Sequence, residues 1–450
     1  MNTSEHIAAP QIRTLDLRRK NLTFAELKQS VPRQNSDYVG EAQQIVNEII
    51  SRVQSEGAAY VRELSTRFDG VEQEALRVPA QALHEALDSL DYSLRRALEA
   101  SIERNRAFAS AQRPADTRLE VAPGAVLVNR WTPVRRVGLY VPGGLAVYPS
   151  SVIMNTVPAQ AAGVESIVLC TPPQKEFGGL PHPTILATAA LLGIDEVWAI
   201  GGAQALASMA FGLDDGANTL EPVDTITGPG NIFVALAKRA LQGTVGVDGE
   251  AGTTEIAVIA DDSAHPDFVA ADLISQAEHD PHAGSVLITH SESMADKVRA
   301  KIAHRAVATK HSERVKEALE GPQSAVVLTD SLEHSVEVAN AYAAEHLEIH
   351  TESAYEIAAQ VRNAGAIFIG PYSPVPLGDY AAGSNHVLPT AGTAAFASGL
   401  NTSTFMKVVQ LIEYSQDALE EIGEHVVTLS HAENLPAHGE AILARTRGEK

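Results

Sequence analysis

The chain reads as an α/β protein with parallel sheets, arranged as two related halves with terminal appendages. Short apolar runs alternate with longer helical patterns from Arg136 onward, the rhythm of a parallel sheet wrapped on both faces. The alternation then starts again at Glu255, giving a second set. At 450 residues, a prior of about 150 residues per domain leaves room for two to four domains.

The elements follow in order. Up to about residue 120 the chain is mostly helical: "EAQQIVNEIISRVQSEGAAYVRELSTRF" carries apolar residues at helical spacing up to the turn at Asp69, and another long helix starts near Leu94. "VGLYV", "SIVLC" and "EVWAI" are buried strands, separated by the helices "SSVIMNTVPAQAAG" and "PTILATAALLG". "AQALASMAFG" is a helix, and "DTITGPGN" leads into the helix "IFVALAKRALQG". The second set comprises the strand "EIAVIAD", the helix "DFVAADLISQAEH", the strands "SVLIT" and "SAVVLTD", a helix from Glu333 into "YAAEHLEI", and the strand "AIFIG". "GPYSPVPLGDYAAGSNHVLPTAG" reads as an ordered loop at a sheet edge, followed by a helical stretch and a tail ending in "AENLPAHGEAI". There is no internal repeat and no low-complexity tract.

A formal charge of −22 argues against nucleic acid, whose binders present a basic face; the cluster "RWTPVRR" (130–136) is expected to flank a strand at the surface. One cysteine, Cys170, excludes an internal disulfide and a multi-cysteine metal site. It ends an apolar strand with no nearby His or Lys, and reads as a small buried hydrophobe rather than a nucleophile. The N-terminus has no apolar signal core, and no run approaches the roughly 18 apolar residues that span a bilayer. A cytoplasmic location is expected.

Several residues could carry chemistry. In "DLISQAEHDPH", Gln276 and His279 lie three apart, within roughly 60° on a helix surface, so they are expected on one face. Such a pair is either a polar stripe or half of a metal site. Asp379, His386 and His438 supply further imidazole and carboxylate groups suited to zinc, manganese or cobalt. Spacing alone does not assemble them. Adjacent Glu345 and His346 can serve as an acid/base pair, although "EHVV" at Glu424 repeats the dipeptide with no other sign of function. No G-x-G-x-x-G fingerprint follows a strand. Three turns, "VPGG" at Val141, "GGAQA" at Gly201 and "TGPGN" at Thr227, sit where strands meet helices. Each could bring backbone to a phosphate, or simply be the small-residue turn any α/β fold needs.

Taken together, "VGLYVPGG", "GGAQA", "GPGN", "LISQAEH", "YAAEHLEI", "GDYAAGSNHVLPT" and "AENLPAH" occur in the order and approximate spacing of the histidinol dehydrogenases, and the chain resembles that family over nearly its whole length. The resemblance implies two incomplete Rossmann-like domains with parallel sheets, plus small N- and C-terminal helical or tail segments. It implies an N-terminal segment 1–35, a first α/β domain of 36–139 with 256–338, a second, NAD-side domain of 140–255 with 339–382, and an active-site loop and tail over 383–450.

It further implies oxidation of L-histidinol to L-histidine in two steps, each reducing one NAD⁺. One zinc ion per subunit would be held by Gln276, His279, Asp379 and His438. Glu345 and His346 would be the acid/base pair, with His346 taking the alcohol proton and Glu345, with His346, activating water. Substrate contacts fall on Thr254 and Glu433 besides His346 and the zinc ligands, NAD contacts on Tyr140, Gln204 and Asn231. His386 would be a supporting polar group. Family members are homodimers, so Glu433 and His438 would act in the partner's site. One departure is "GTTE" (Gly252 to Glu255), where the family commonly has Gly-Pro-Ser-Glu; Thr254 keeps the hydroxyl.

Three other readings compete. A relative acting on a sulfonated alcohol, such as a sulfopropanediol dehydrogenase, would need cations where this tail supplies Glu433. A zinc hydrolase would leave Tyr140, Gln204 and Asn231 without a role. A non-catalytic metal binder would keep its zinc when both Glu345 and His346 are replaced.

Overall fold

A computed structural model describes residues 9–33, 39–143, 147–249 and 252–446. Apolar runs without alternation need neighbours on both edges and cover on both faces, and most of these strands find both in two parallel sheets. The first orders its strands Thr14–Asp16, Ala325–Leu328, Gly284–Thr289, Glu255–Ala260, His346–His350 and Ala366–Ile369. The second runs Gly246–Val247, Thr225–Thr227, Arg136–Tyr140, Ser166–Thr171 and Val197–Ala199. Setting aside the added edge strand Thr14–Asp16, in each unit the first strand is central, the next two step to one side, and the last two return to the other. That is the doubly wound order lacking its final strand, so both units are incomplete Rossmann-like folds, as expected.

Alternate residues of each central strand feed opposite cores. Ile256 and Val258 pack with Leu273 and Val298, while Ala257 and Ile259 pack with Val338 and Tyr342. Val137 and Leu139 meet Ile102 and Ile153; Tyr140 lies with Val46, Met209 and Leu236. Gly138 admits Met209, whose sulfur would stand 2.5 Å from an added Cβ.

The expected domain partition is corrected. Helices Val39–Glu56 and Tyr92–Ala111 pack on Gly202–Phe211, Ile232–Leu241 and Pro149–Ala162, all flanking the second sheet. Segment 36–139 therefore belongs with that unit and not with 256–338. Strands His346–His350 and Ala366–Ile369 join the first sheet, because their peptide groups find hydrogen-bonding partners there; segment 339–382 is separated from 140–255. Segment 1–35 is more than an appendage, since it contributes the edge strand Thr14–Asp16 and the helix Phe24–Ser30, packed on Leu332–Tyr342.

Three local expectations also change. The helix from Leu332 stops at Tyr342, where Ala343 takes a left-handed φ of 50°, and "HLEIH" becomes a strand buried along its whole length. The helical stretch expected after the Pro/Gly loop is instead led by a strand, Met406–Tyr414. It pairs antiparallel with Ala125–Pro133, which pairs in turn with Thr117–Ala122. Arg136 is not at the surface: it opens a strand, is 4% exposed, and sets Nη2 2.8 Å from Glu196 Oε1. The chain closes with helices Gln416–Ala432 and Pro436–Thr446, which pack on each other and leave Leu429 and Leu435 exposed.

Candidate active site

The site starts at the amino ends of two neighbouring strands of the first sheet. Ile256 is in register with His346, which brings Thr254, just before one strand, within reach of Glu345, just before the other. Glu345 Oε2 accepts from Thr254 Oγ1 at 2.5 Å and from the Glu255 N–H at 3.0 Å. Burial pushes the Glu345 carboxyl up; His346, the Thr254 hydroxyl and the Glu255 N–H offset part of that, and the negative charge of Asp379 adds to it.

His346 is 4% exposed, with Nδ1 3.2 Å from the Glu255 carbonyl oxygen and 3.6 Å from Glu345 Oε2. A carbonyl only accepts, so in the neutral ring Nδ1 carries the hydrogen and Nε2 the lone pair. That Nε2 is buried and has no hydrogen-bond partner among the described residues. The Phe368 ring lies 6.0 Å from the imidazole, centre to centre.

Gln276, 2% exposed, donates from Nε2 to Thr254 Oγ1 at 2.6 Å. One hydroxyl thus joins the Gln276 amide to the Glu345 carboxylate, leaving the amide oxygen of Gln276 available as an acceptor or ligand atom. The helix bearing Gln276 spans Pro266–Ala277. His279 lies just beyond it, exposed, in a turn closed by its N–H on the Gln276 carbonyl at 3.2 Å; Asp280–Pro281 ends the helix earlier than the one-face pairing requires.

Asp379 is half-buried on the short helix Val375–Tyr380. His386 commits both ring nitrogens, Nδ1 3.0 Å from the Asp379 carbonyl oxygen and Nε2 3.2 Å from Ser151 Oγ. Its pKa is lowered by burial, against the pull of Asp379. It therefore braces the Asp379 loop against helix Pro149–Ala162 of the second unit. Asn385 Nδ2 donates to the Met154 carbonyl at 2.6 Å and Ser101 Oγ to the Tyr380 carbonyl at 2.5 Å, so the site lies between the two units.

Glu433 and His438 are exposed on the C-terminal helical hairpin. Among the described residues, the ligand atoms of His279, Asp379 and His438 do not converge within one chain. The set that does is Asp272, Glu348 and His350, whose ligand atoms lie within 4.8 Å of one another.

Tyr140, Gln204 and Asn231 lie at the carboxyl ends of the second sheet. Tyr140 is buried, accepts the Gly202 N–H on Oη at 3.0 Å, and has its phenol pushed up to about 12 by burial. Gln204 is 3% exposed in the first turn of helix Gly202–Phe211. Asn231 caps helix Ile232–Leu241, accepting the Phe233 and Val234 N–H groups at 3.1 and 3.3 Å. In "VPGG", Gly144 lies outside the described residues. Cys170 is fully buried, and burial pushes its thiol up, as suits an inert core residue.

Two groups escaped sequence reasoning. Lys238, 1% exposed, donates from Nζ to the Gly228 carbonyl and to Asp248 Oδ1, each at 2.5 Å, while Asp248 Oδ2 accepts the Gly228 N–H at 2.9 Å. This ion pair clamps the turn that ends in Asn231; its signal was a lysine inside the apolar helix "IFVALAKRAL". The second group is Asp272 with Glu348 and His350. Its signal was "HLEIH", where alternation puts His346, Glu348 and His350 on one face.

The profile of the histidinol dehydrogenases matches residues 32–446. The chain is 57% identical to histidinol dehydrogenase of Corynebacterium jeikeium over 433 residues, 96% of each chain. It is 54% identical to that of Mycobacterium tuberculosis over 437 residues, 97% of this chain and 98% of the other. The crystal structure of histidinol dehydrogenase from Elizabethkingia anophelis superposes with a TM-score of 0.89 at 32% identity, covering 97% of this chain and 98% of that one. The chain belongs to the histidinol dehydrogenase family of oxidoreductases.

Proposed function

We propose that the chain oxidises L-histidinol to L-histidine through L-histidinal, with two equivalents of NAD⁺, as a cytoplasmic homodimer with shared active sites. The observation that carries this is the buried Glu345–His346 pair, whose His346 Nε2 has its lone pair turned to no partner among the described residues. The oxygen of Gln276, the imidazoles of His279 and His438 of the partner subunit, and the Asp379 carboxylate form a donor set that fits zinc. The hydrogen bond from Gln276 Nε2 to Thr254 supports that fit, because it leaves the amide oxygen to ligate. When bound, zinc supplies a positive template for the imidazole and amino nitrogens of the substrate.

His346 Nε2 takes the hydroxyl proton of the alcohol as two electrons and a hydrogen leave carbon for the nicotinamide, giving aldehyde and NADH. Glu345 holds a carboxylate whose basicity burial has raised. With His346 it removes a proton from water attacking the aldehyde, and the hydrate then loses hydride and proton to give the carboxylic acid and a second NADH. Thr254 Oγ1 gives its hydrogen to Glu345 and takes one from Gln276; its remaining lone pair can accept from the substrate amine. Glu433 of the partner subunit adds a carboxylate that can accept an N–H of the substrate. Tyr140, Gln204 and Asn231 line the NAD side at the crevice between the central strands, where doubly wound sheets take dinucleotides.

The test is NADH formed per L-histidinol consumed, on chelator-stripped protein with and without added zinc. Two NADH restored by zinc are expected. One NADH would remove the Glu345 water step, and none, from protein that binds zinc and NAD, would point to a different alcohol.

A further inference from the structure

We infer that Glu348 is a positioning residue that fixes the helix bearing Asp379 relative to the helix bearing Gln276. Glu348 is fully buried, and His350 is 3% exposed. Glu348 Oε1 accepts the N–H of Val375, the first residue of helix Val375–Tyr380, at 2.9 Å. On its other side Oε2 lies 3.2 Å from His350 Nε2, which is 3.9 Å from Asp272 Oδ2. Asp272 sits one turn before Gln276 on helix Pro266–Ala277, so the carboxylate ties together two segments from distant parts of the chain. Burial, and then the adjacent Glu348, push the Asp272 carboxyl up to about 8, which relieves the repulsion two bare carboxylates would feel. Gly378 seats the short helix against Phe368, whose ring would stand 2.7 Å from an added Cβ. Lateral packing is therefore tight, and the Val375 hydrogen bond sets the helix along its own axis. Outer groups of this kind orient metal ligands, and their loss commonly costs about 10- to 100-fold in metal affinity.

The inference rests on the zinc assignment proposed above, so its test reads the protein both with and without metal. Glu348→Leu removes the acceptor, Glu348→Gln keeps one at Oε1, and Val375→Pro removes the donor at a helix position that tolerates proline. On stripped full-length protein, amide exchange across 377–380 is expected to accelerate at least about tenfold in Glu348→Leu and Val375→Pro and to stay near wild type in Glu348→Gln. Zinc competition with a chromophoric chelator is expected to weaken about 10- to 100-fold in the same two variants, with NAD binding unchanged. Should Glu348→Leu fail to fold, Val375→Pro carries both readouts. Wild-type exchange in the variant lacking the acceptor or the donor would overturn the inference. So would two zinc ions per wild-type chain with one lost in Glu348→Gln, since the cluster would then hold a cation instead of a proton. A wild-type protein that binds no zinc sinks the metal assignment, while the exchange comparison still decides the positioning role.

Discussion

Thr254→Val isolates the hydroxyl that joins the Gln276 amide to the Glu345 carboxylate. Valine keeps the shape of threonine, so no cavity opens. Two hydrogen bonds go, at 2.5 Å to Glu345 and 2.6 Å from Gln276, and the first involves a buried carboxylate. A hydrogen bond to a charged group contributes about 1.5–3 kcal/mol, equivalent to roughly 10- to 150-fold in kcat/KM for histidinol. The pH profile gives an independent readout. The Thr254 hydrogen bond lowers the Glu345 pKa against the upward push of burial, so its loss raises that pKa further. Glu345 must be ionised to act as the proposed base; hence the acid limb of the kcat/KM profile is expected to move to higher pH. Thr254→Ser restores the hydroxyl and should restore both the rate and the limb. A valine variant within twofold of wild type, with an unmoved acid limb, would refute the coupling of Gln276 to Glu345 through this hydroxyl.

Other perturbations have equally definite outcomes. Gly228 has φ +124°, and an added Cβ would stand 2.0 Å from the Tyr140 carbonyl oxygen; Gly228→Ala should cost about 3 kcal/mol or more in urea unfolding. Lys238→Met leaves Asp248 buried without its cation, at a cost of about 3–5 kcal/mol, and the KM for NAD⁺ should rise as the Gly228–Asn231 turn loosens. Iodoacetamide should leave native activity intact, because Cys170 is buried with its thiol pushed up; inactivation on stoichiometric labelling would contradict this. Co-expressed His346→Asn and His438→Ala chains should form mixed dimers with one complete site. With random pairing, about one quarter of wild-type activity returns if His438 acts across the dimer, and none if it acts within its own chain.

Much of this was legible in the sequence, and the reasons for the rest are specific. Both sheets were readable because buried parallel strands are continuous apolar runs between helical patterns. Which strands share a sheet was not, because pairing is a long-range choice: His346–His350 hydrogen-bonds to Glu255–Ala260 across some ninety positions. "YAAEHLEI" continues a helical pattern in its apolar residues, and only the left-handed turn at Ala343 breaks it. The strand Met406–Tyr414 needs the partner Ala125–Pro133, which lies in another part of the chain. Residue types pointed to Gln276, His279 and Asp379, whereas the Thr254 bridge, the Lys238–Asp248 clamp and the Glu348 tie depend on distances that no local pattern encodes.

The two units present opposite ends of their sheets to the site, and helix electrostatics gives that arrangement a chemical sense. In the first unit the site lies at the amino ends of the strands, where helices terminate. Gln276 lies next to the end of helix Pro266–Ala277, Asp379 near the end of Val375–Tyr380, and Glu345 just after the end of Leu332–Tyr342. Unpaired carbonyls and the negative end of the helix dipole gather there, which favours a cation. In the second unit Tyr140, Gln204 and Asn231 lie at the carboxyl ends, where helices Gly202–Phe211 and Ile232–Leu241 begin. The positive dipole ends of these helices would favour the phosphates of a dinucleotide. A cation on one side and an anionic dinucleotide on the other would each meet backbone of opposite polarity, with His346 Nε2 available to take a proton as hydride crosses from substrate to nicotinamide. Raising salt should therefore weaken both KM values together while leaving kcat nearly constant, because these end effects are screened at the surface. A salt-independent KM for NAD⁺ would show that the turns bind it without help from the helix ends.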